Sequence, residues 1–283
     1  MGRLKLSNLI GKKVMSQRLC PLCSGRESLL INRTGDFRIV RCRECGFTYL
    51  ENPSQETELY ETFWGEDDEL PEVFAGDAQD ASLREAYHIN RQRVEYLKSL
   101  RPNGSLLDIG CGNGFFLTLA QQVGYECIGQ EVSQNAIRFA RNNFNLSIID
   151  EALENIVQDQ KMMFDIITIW HVLEHVNDPI LFLKQIYTIL KPGGILVVEV
   201  PNLNSLKFRL SNWKWEGGNH PKYHQSYFIH QTLTEMLQAA GFSHSKKMRL
   251  SYRLPGKNRA YTIVKQSLNL LGLDSFISVA AHK

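Results

Sequence analysis

Apolar and polar positions alternate along most of the chain with the period of a strand or of a helix. Leu106–Ile109, Cys127–Gln130, Leu146–Ile149, Phe164–Trp170 and Ile195–Val200 read as short strands, Leu106–Ile109 and Phe164–Trp170 as buried ones. Phe115–Val123, Gln134–Phe144 and Pro179–Leu190 read as helices between them, the second introduced by Ser133 as N-cap and the third stopped at Lys191-Pro192-Gly193-Gly194. Ala86–Leu100 forms a lead-in helix with Tyr87, Val94, Leu97 and Leu100 on one face. His230–Ala240 is a helix stopped by Gly241, and Phe276–Ala280 is a last strand. Strands alternating with helices predict an α/β fold, a parallel sheet with helices on both faces. Tyr261, Val264, Leu268 and Leu271 share a further helical face, expected to meet the core.

The N-terminal stretch follows a different rule. Cys20-Pro-Leu-Cys23 and Cys42-Arg-Glu-Cys45 are two C-x2-C knuckles. Between them Ser28–Asn32 and Phe37–Arg41 alternate like short strands around Thr34-Gly35-Asp36. This is a zinc-ribbon pattern, and it predicts a structural zinc ion on Cys20, Cys23, Cys42 and Cys45. Four thiolates fill a tetrahedral ion and leave no position for catalysis. So short a stretch can hardly bury a core without the metal. The expected organisation is a zinc-ribbon domain over 1–50, an acidic connector and lead-in helix over 51–100, and a main domain over 101–283. A helix is expected near 56–63.

Charge refines this picture. The formal net charge of the 283 residues is only +2. Residues 1–45 nevertheless carry ten Lys/Arg against Glu27, Asp36 and Glu44, residues 51–85 carry twelve Asp/Glu against Arg84, and 246–283 carry eight Lys/Arg against Asp274. Basic ends fit an anionic partner, including a peripheral membrane contact, or an acidic middle that folds back on them. No apolar run is long enough for a membrane helix and no secretory signal is recognisable, so a cytoplasmic protein is expected.

The chemistry centres on LLDIGCGNGFF, 106–116. Gly110, Gly112 and Gly114 let the chain turn tightly and let a ligand approach the backbone. The next strand ends in Glu131, at the distance where a nucleotide-binding α/β fold sets a carboxylate on ribose hydroxyls. The G-x-G-x-G spacing speaks against a dinucleotide. This turn, with DIITIWHVLEHVNDP at 165–179, LKPGGILVVEVPN at 190–202, LTEMLQAAGF ending at 242 and FISVAAHK at 276–283, resembles the class I S-adenosylmethionine-dependent methyltransferases. With the ribbon in front, running into CGFTYLENP, the chain is similar to a subgroup that modifies small molecules, sugars or glycolipids.

The resemblance implies a Rossmann-like seven-stranded methyltransferase sheet, with substrate-facing inserts near 203–230 and 249–275. It implies S-adenosylmethionine as cofactor. Gly110, Cys111 and Gly112 would line its methionine part, Asp108 would organise the turn and the amino group, Glu131 would take both ribose hydroxyls, and Val132 would pack on adenine. Asp150, Glu151 and Glu154 remain alternatives for the adenine edge. His171 would lie near the transferred methyl. A hydroxyl or acidic C–H acceptor needs a general base, for which His171, His175, His220 and His224 are candidates; His171 or His224 is the expected catalytic residue, with Tyr223 and Tyr227 as orienters. The expected acceptor is a small molecule or glycan. One alternative is an RNA methyltransferase docking through the ribbon, against which stand the acidic 51–85 stretch and the absence of N-P-P-[YF] after the fourth strand. Another is a non-catalytic module that binds the cofactor or a partner.

Overall fold

The structure, a computed structural model, describes residues 13–15, 18–53, 81–159, 162–214, 223–248 and 258–283. The helix expected near 56–63 lies outside them. In chain order the elements begin with strands β1 (Lys13–Met15), β2 (Glu27–Thr34), β3 (Phe37–Cys42) and β4 (Thr48–Leu50), followed by helix α1 (Ala81–Leu100). Next come β5 (Ser105–Ile109), α2 (Phe115–Gln122), β6 (Glu126–Gln130), α3 (Gln134–Phe144), β7 (Ile148–Ile149), α4 (Leu153–Asp159) and β8 (Phe164–Trp170). The remainder is α5 (Pro179–Ile189), β9 (Leu190–Pro201), α6 (Leu206–Ser211), β10 (Ser226–Tyr227), α7 (His230–Ala239), β11 (His244–Lys247), α8 (Arg259–Leu270) and β12 (Phe276–His282).

Seven strands form one sheet in the order β11-β12-β9-β8-β5-β6-β7. The pairs from β9 through β7 are parallel, while β12 runs antiparallel to both β9 and β11. This is the expected Rossmann-like arrangement, with an antiparallel edge on a parallel sheet. Its central strands are buried on both faces, which is why they read as continuous apolar runs. The strand order reverses between β5 and β8, so the carboxyl ends of those strands open the crevice in which such sheets bind ligands.

Leu190-Lys-Pro-Gly-Gly belongs to β9 rather than to a separate turn, because a register irregularity between Phe164 and Ile166 of β8 absorbs it. Gly193 takes φ 71° there.

The ribbon sheet has the order β1-β2-β3-β4-β10. Its last strand, β10, lies far downstream in the chain: Ser226 and Tyr227 pair with Tyr49 and Thr48. Leu50 N–H also donates to the Gln225 carbonyl at 2.9 Å. Val40, Phe47 and Tyr49 pack into one core with Phe228, Leu233 and the β8–β9 residues. The segment 225–228 is therefore a structural partner of the ribbon.

The 259–270 helix forms, but Val264 and Leu271 are 56% and 71% exposed. Its anchor is polar instead: Asn269 is buried, and Lys265 pairs with buried Asp274 at 3.4 Å. Of the predicted face, Tyr261 and Leu268 are half-buried.

Candidate active site

The glycine turn lies at the carboxyl end of β5. Gly110 and Cys111 donate their N–H groups to the Gln130 carbonyl at 2.8 and 3.0 Å, fixing the turn to β6. Gly110 has φ 67°, and a Cβ there would lie 2.6 Å from Val172 Cγ2. At Gly114, φ is 77° and a Cβ would meet Leu146 Cδ1 at 2.4 Å. Any other residue would therefore be strained and obstructed at both positions. The N-terminus of α2, starting at Phe115, follows the turn.

Glu131 caps this turn from the end of β6. Its Oε2 accepts from Gly112 N–H at 2.9 Å, and its Oε1 from Val132 and Ser133 N–H at 2.8 and 3.0 Å. Three backbone donors hold the carboxylate in place, and one of its roughly four lone-pair positions remains for a ligand hydroxyl. Next to it Val132 is 42% exposed, an apolar surface at the crevice edge. Asp108 is buried and accepts from Thr168 Oγ1 at 2.5 Å. Burial raises its carboxyl to about 7. The Cys111 thiol is buried and pushed up for the same reason, so it packs rather than reacts.

Across the crevice β8 runs into His171, a non-glycine residue with φ 59°. Its N–H donates to the Glu199 carbonyl at 2.9 Å, and its ring meets the Phe276 ring edge-on at 4.7 Å between centroids. Nδ1 lies 3.3 Å from Glu174 Oε1 and Nε2 lies 3.4 Å from Glu199 Oε1. A carboxylate only accepts, so both ring nitrogens are satisfied together only in the imidazolium. Burial works against that charge, but the two carboxylates outweigh it and raise His171 to about 9. Glu199 is also paired with Arg93 of α1 and accepts from Ser278 Oγ at 2.5 Å. Burial opposes its charge too, yet Arg93 and His171 keep it well below the usual carboxylate range. Arg93 stacks over Trp170, 4.3 Å from the ring centroid. Arg93, Glu199 and Ser278 were not evident as site residues from their spacing. A usable signal existed: Glu199 is a lone charge inside the apolar run Val197–Val200.

Glu174, His175 and His224 form a second group. Their ligand atoms all lie within 4.8 Å of one another. The His175 and His224 rings are 4.8 Å apart, and the His224 ring is 6.3 Å from that of Tyr227. Tyr223 takes part through its backbone: its carbonyl faces His175 Nδ1 at 3.1 Å. His220 lies outside the described residues. Of the adenine-edge alternatives, Asp150 faces Arg141 at 3.6 Å, while Glu151 and Glu154 are exposed.

In the ribbon, Cys20 and Cys45 Sγ are 3.5 Å apart, as are Cys23 and Cys42 Sγ. All four sulfurs fall within 4.8 Å of one another. Tetrahedral zinc with Zn–S near 2.3 Å sets sulfurs about 3.8 Å apart, so the group fits that ion. Ser24 and Gly46, with φ 60° and 74°, make the knuckle turns.

A family model described as a methyltransferase domain matches residues 82–245. The chain belongs to this family. It is a class I S-adenosylmethionine-dependent methyltransferase. Among solved structures, an S-adenosylmethionine-dependent methyltransferase from Archaeoglobus fulgidus superposes with a TM-score of 0.52 at 23% identity, over 72% of this chain and 95% of that one. The plantazolicin methyltransferase BpumL, in complex with S-adenosylhomocysteine, gives 0.50 at 20% identity, over 70% and 83%. Both show the same fold. By sequence, the methyltransferase is 26% identical to the ubiquinone biosynthesis O-methyltransferase of Xanthomonas axonopodis pv. citri, over 68% of this chain and 85% of that protein. It is 34% identical to the protein of that name from Bradyrhizobium diazoefficiens, over 48% and 53%. With several of these curated relatives the match spans only about half of their length. Among the described residues, no helix is long and apolar enough to cross a membrane.

Proposed function

We propose that the chain methylates a small-molecule acceptor, of the hydroxyl-bearing or sugar type, from S-adenosylmethionine bound on the Gly110–Gly114 turn. The observation that carries this reading is the juxtaposition of the glycine turn with the histidine groups. Val172, which follows His171, abuts Gly110 closely enough to forbid a Cβ there. The relatives named as O-methyltransferases support an oxygen acceptor.

The cofactor supplies a methyl on a good leaving group, so the protein's task is to hold the acceptor in line, exclude water and remove a proton. Glu131 holds the ribose, Val132 packs on adenine, and Gly110, Cys111 and Gly112 line the methionine part. Asp108 receives the amino group. His171, already paired through both nitrogens, orients the pocket as a fixed cation. Proton removal therefore falls to the His224 side. The four cysteines hold a structural zinc ion, as the sulfur spacing supports.

The direct test is transfer of labelled methyl into fractionated cell extract. Label is expected in a small-molecule or glycan fraction, and label confined to RNA or protein overturns the reading. In that assay His224→Ala is expected to lower turnover about a hundredfold or more while cofactor affinity changes little. His171→Ala is expected to lower it as well, through lost orientation. Full turnover in both variants excludes a role for either.

Asp108 adds a pH signature. With its carboxyl at about 7 in the free protein, it must lose a proton to meet a cationic amino group. Affinity for S-adenosylmethionine is expected to fall up to tenfold per unit as pH drops below 7, measured by calorimetry. In Asp108→Asn that slope is expected to vanish.

A further inference from the structure

We propose that Glu174, His175 and His224 bind a divalent transition-metal ion of the zinc class, leaving a coordination position open to an acceptor oxygen. Glu174 is 1% exposed. Its Oε1 faces His171 Nδ1, whereas its Oε2 is buried with no hydrogen-bond partner. An orphaned buried carboxylate oxygen is costly, and a cation is what such an oxygen accommodates best. The two imidazoles beside it offer the matching donors. Coordination at about 2.0–2.2 Å sets tetrahedral donors about 3.4 Å apart, a closure that small side-chain rotations provide.

His175 is oriented for this task. The Tyr223 carbonyl, 3.1 Å from its Nδ1, can only accept, so Nδ1 carries the proton and the lone pair is on Nε2. Metal-ligating histidines are fixed in this way, by donating their other N–H to a carbonyl or carboxylate. The two contributing segments are also locked together. Gln225 N–H donates to the Glu174 carbonyl at 2.7 Å, and His175 N–H to the Val172 carbonyl at 2.9 Å.

The donor set selects the ion. Two imidazoles and one carboxylate suit zinc, cobalt, iron or manganese better than magnesium, which prefers oxygen and water. Three protein ligands leave a fourth position open, unlike the closed four-thiolate set of the ribbon. In this reading His224 serves as a ligand in place of a base: a hydroxyl bound at the open position is made more acidic by the ion and releases its proton to solvent as it binds, before the methyl is transferred. Its oxygen then bonds to the methyl carbon, while the electron pair of the breaking S–C bond stays on sulfur. This last role rests on the proposed function; ion binding does not, because it needs no acceptor.

The test titrates Co2+ into the full-length protein with zinc on its cysteines. The expected result is one added equivalent per chain, with a visible d–d band and no thiolate charge-transfer band. His175→Ala and His224→Ala are each expected to weaken uptake at least tenfold while far-ultraviolet circular dichroism is unchanged. If His224→Ala unfolds, His175→Ala, whose ring is partly exposed, carries the comparison. No uptake, uptake unchanged in the folded variant, or uptake only with a thiolate band overturns the proposal. Expected Co2+ binding without methyl transfer to any fraction leaves the ion site standing and refutes the acceptor reading.

Discussion

Glu199→Ala is expected to lower the unfolding free energy by about 3–5 kcal/mol, the cost of breaking a buried ion pair from one side. The carboxylate is 1% exposed and holds Arg93, His171 and Ser278 at once. Its removal leaves the Arg93 guanidinium, itself 9% exposed, without its counter-ion. Glu199→Gln keeps the volume and one acceptor, so a smaller loss is expected. Urea unfolding at pH 7 measures both. The pH dependence separates the contributions. His171 is raised from 6.5 to about 9, so its pairing stabilises fully below pH 6.5 and is lost as pH rises through about 9. Glu199 is lowered, so its share is present above the unfolded carboxylate value and is lost only in strong acid. The gap between wild type and Glu199→Ala is therefore expected to narrow from pH 7 to 9. A gap constant over that range would show that Glu199 does not hold the charge on His171.

Removing the zinc ion proposed on the four cysteines is expected to have an effect at least as large. Structural zinc contributes on the order of 10 kcal/mol to the folding of a small ribbon. Here the ribbon also supplies Val40, Phe47 and Tyr49, each 0% exposed, to the main core. Chelation, or Cys42→Ser, is expected to lower the melting temperature of the whole chain by about 10 °C or more, at about 2–4 °C per kcal/mol for a chain of this size. The near-ultraviolet signal of the aromatic core should fall with it. A metal-free protein that melts as before would rule out a structural ion.

Much of the parallel sheet was legible because each central strand is buried on both faces and so appears as an unbroken apolar run. The cysteine knuckles and the Gly110–Glu131 pair were legible because their chemistry tolerates few substitutes. Thr48–Leu50, Ser226–Tyr227 and His244–Lys247 were not: they are two to four residues long, too short to establish a period. The pairing of Tyr49 with Ser226 is a long-range fact without a local signal. The clamp on His171 was hidden for a related reason. It joins Arg93, Glu174, Glu199 and Ser278 from four separate segments, and no spacing in the chain reports that convergence.

That same pairing orders events during synthesis. Strand β4 waits for a neighbour that lies 177 residues downstream, from Tyr49 to Ser226. At about 5–20 residues per second, a nascent ribbon spends roughly 10–35 s with that edge unpaired. Pairing of β2, β3 and β4 can precede it, but closure of the ribbon sheet cannot. A chain released before residue 226 would thus present an open β-edge beside exposed aromatics, the surface that quality control and aggregation both recognise.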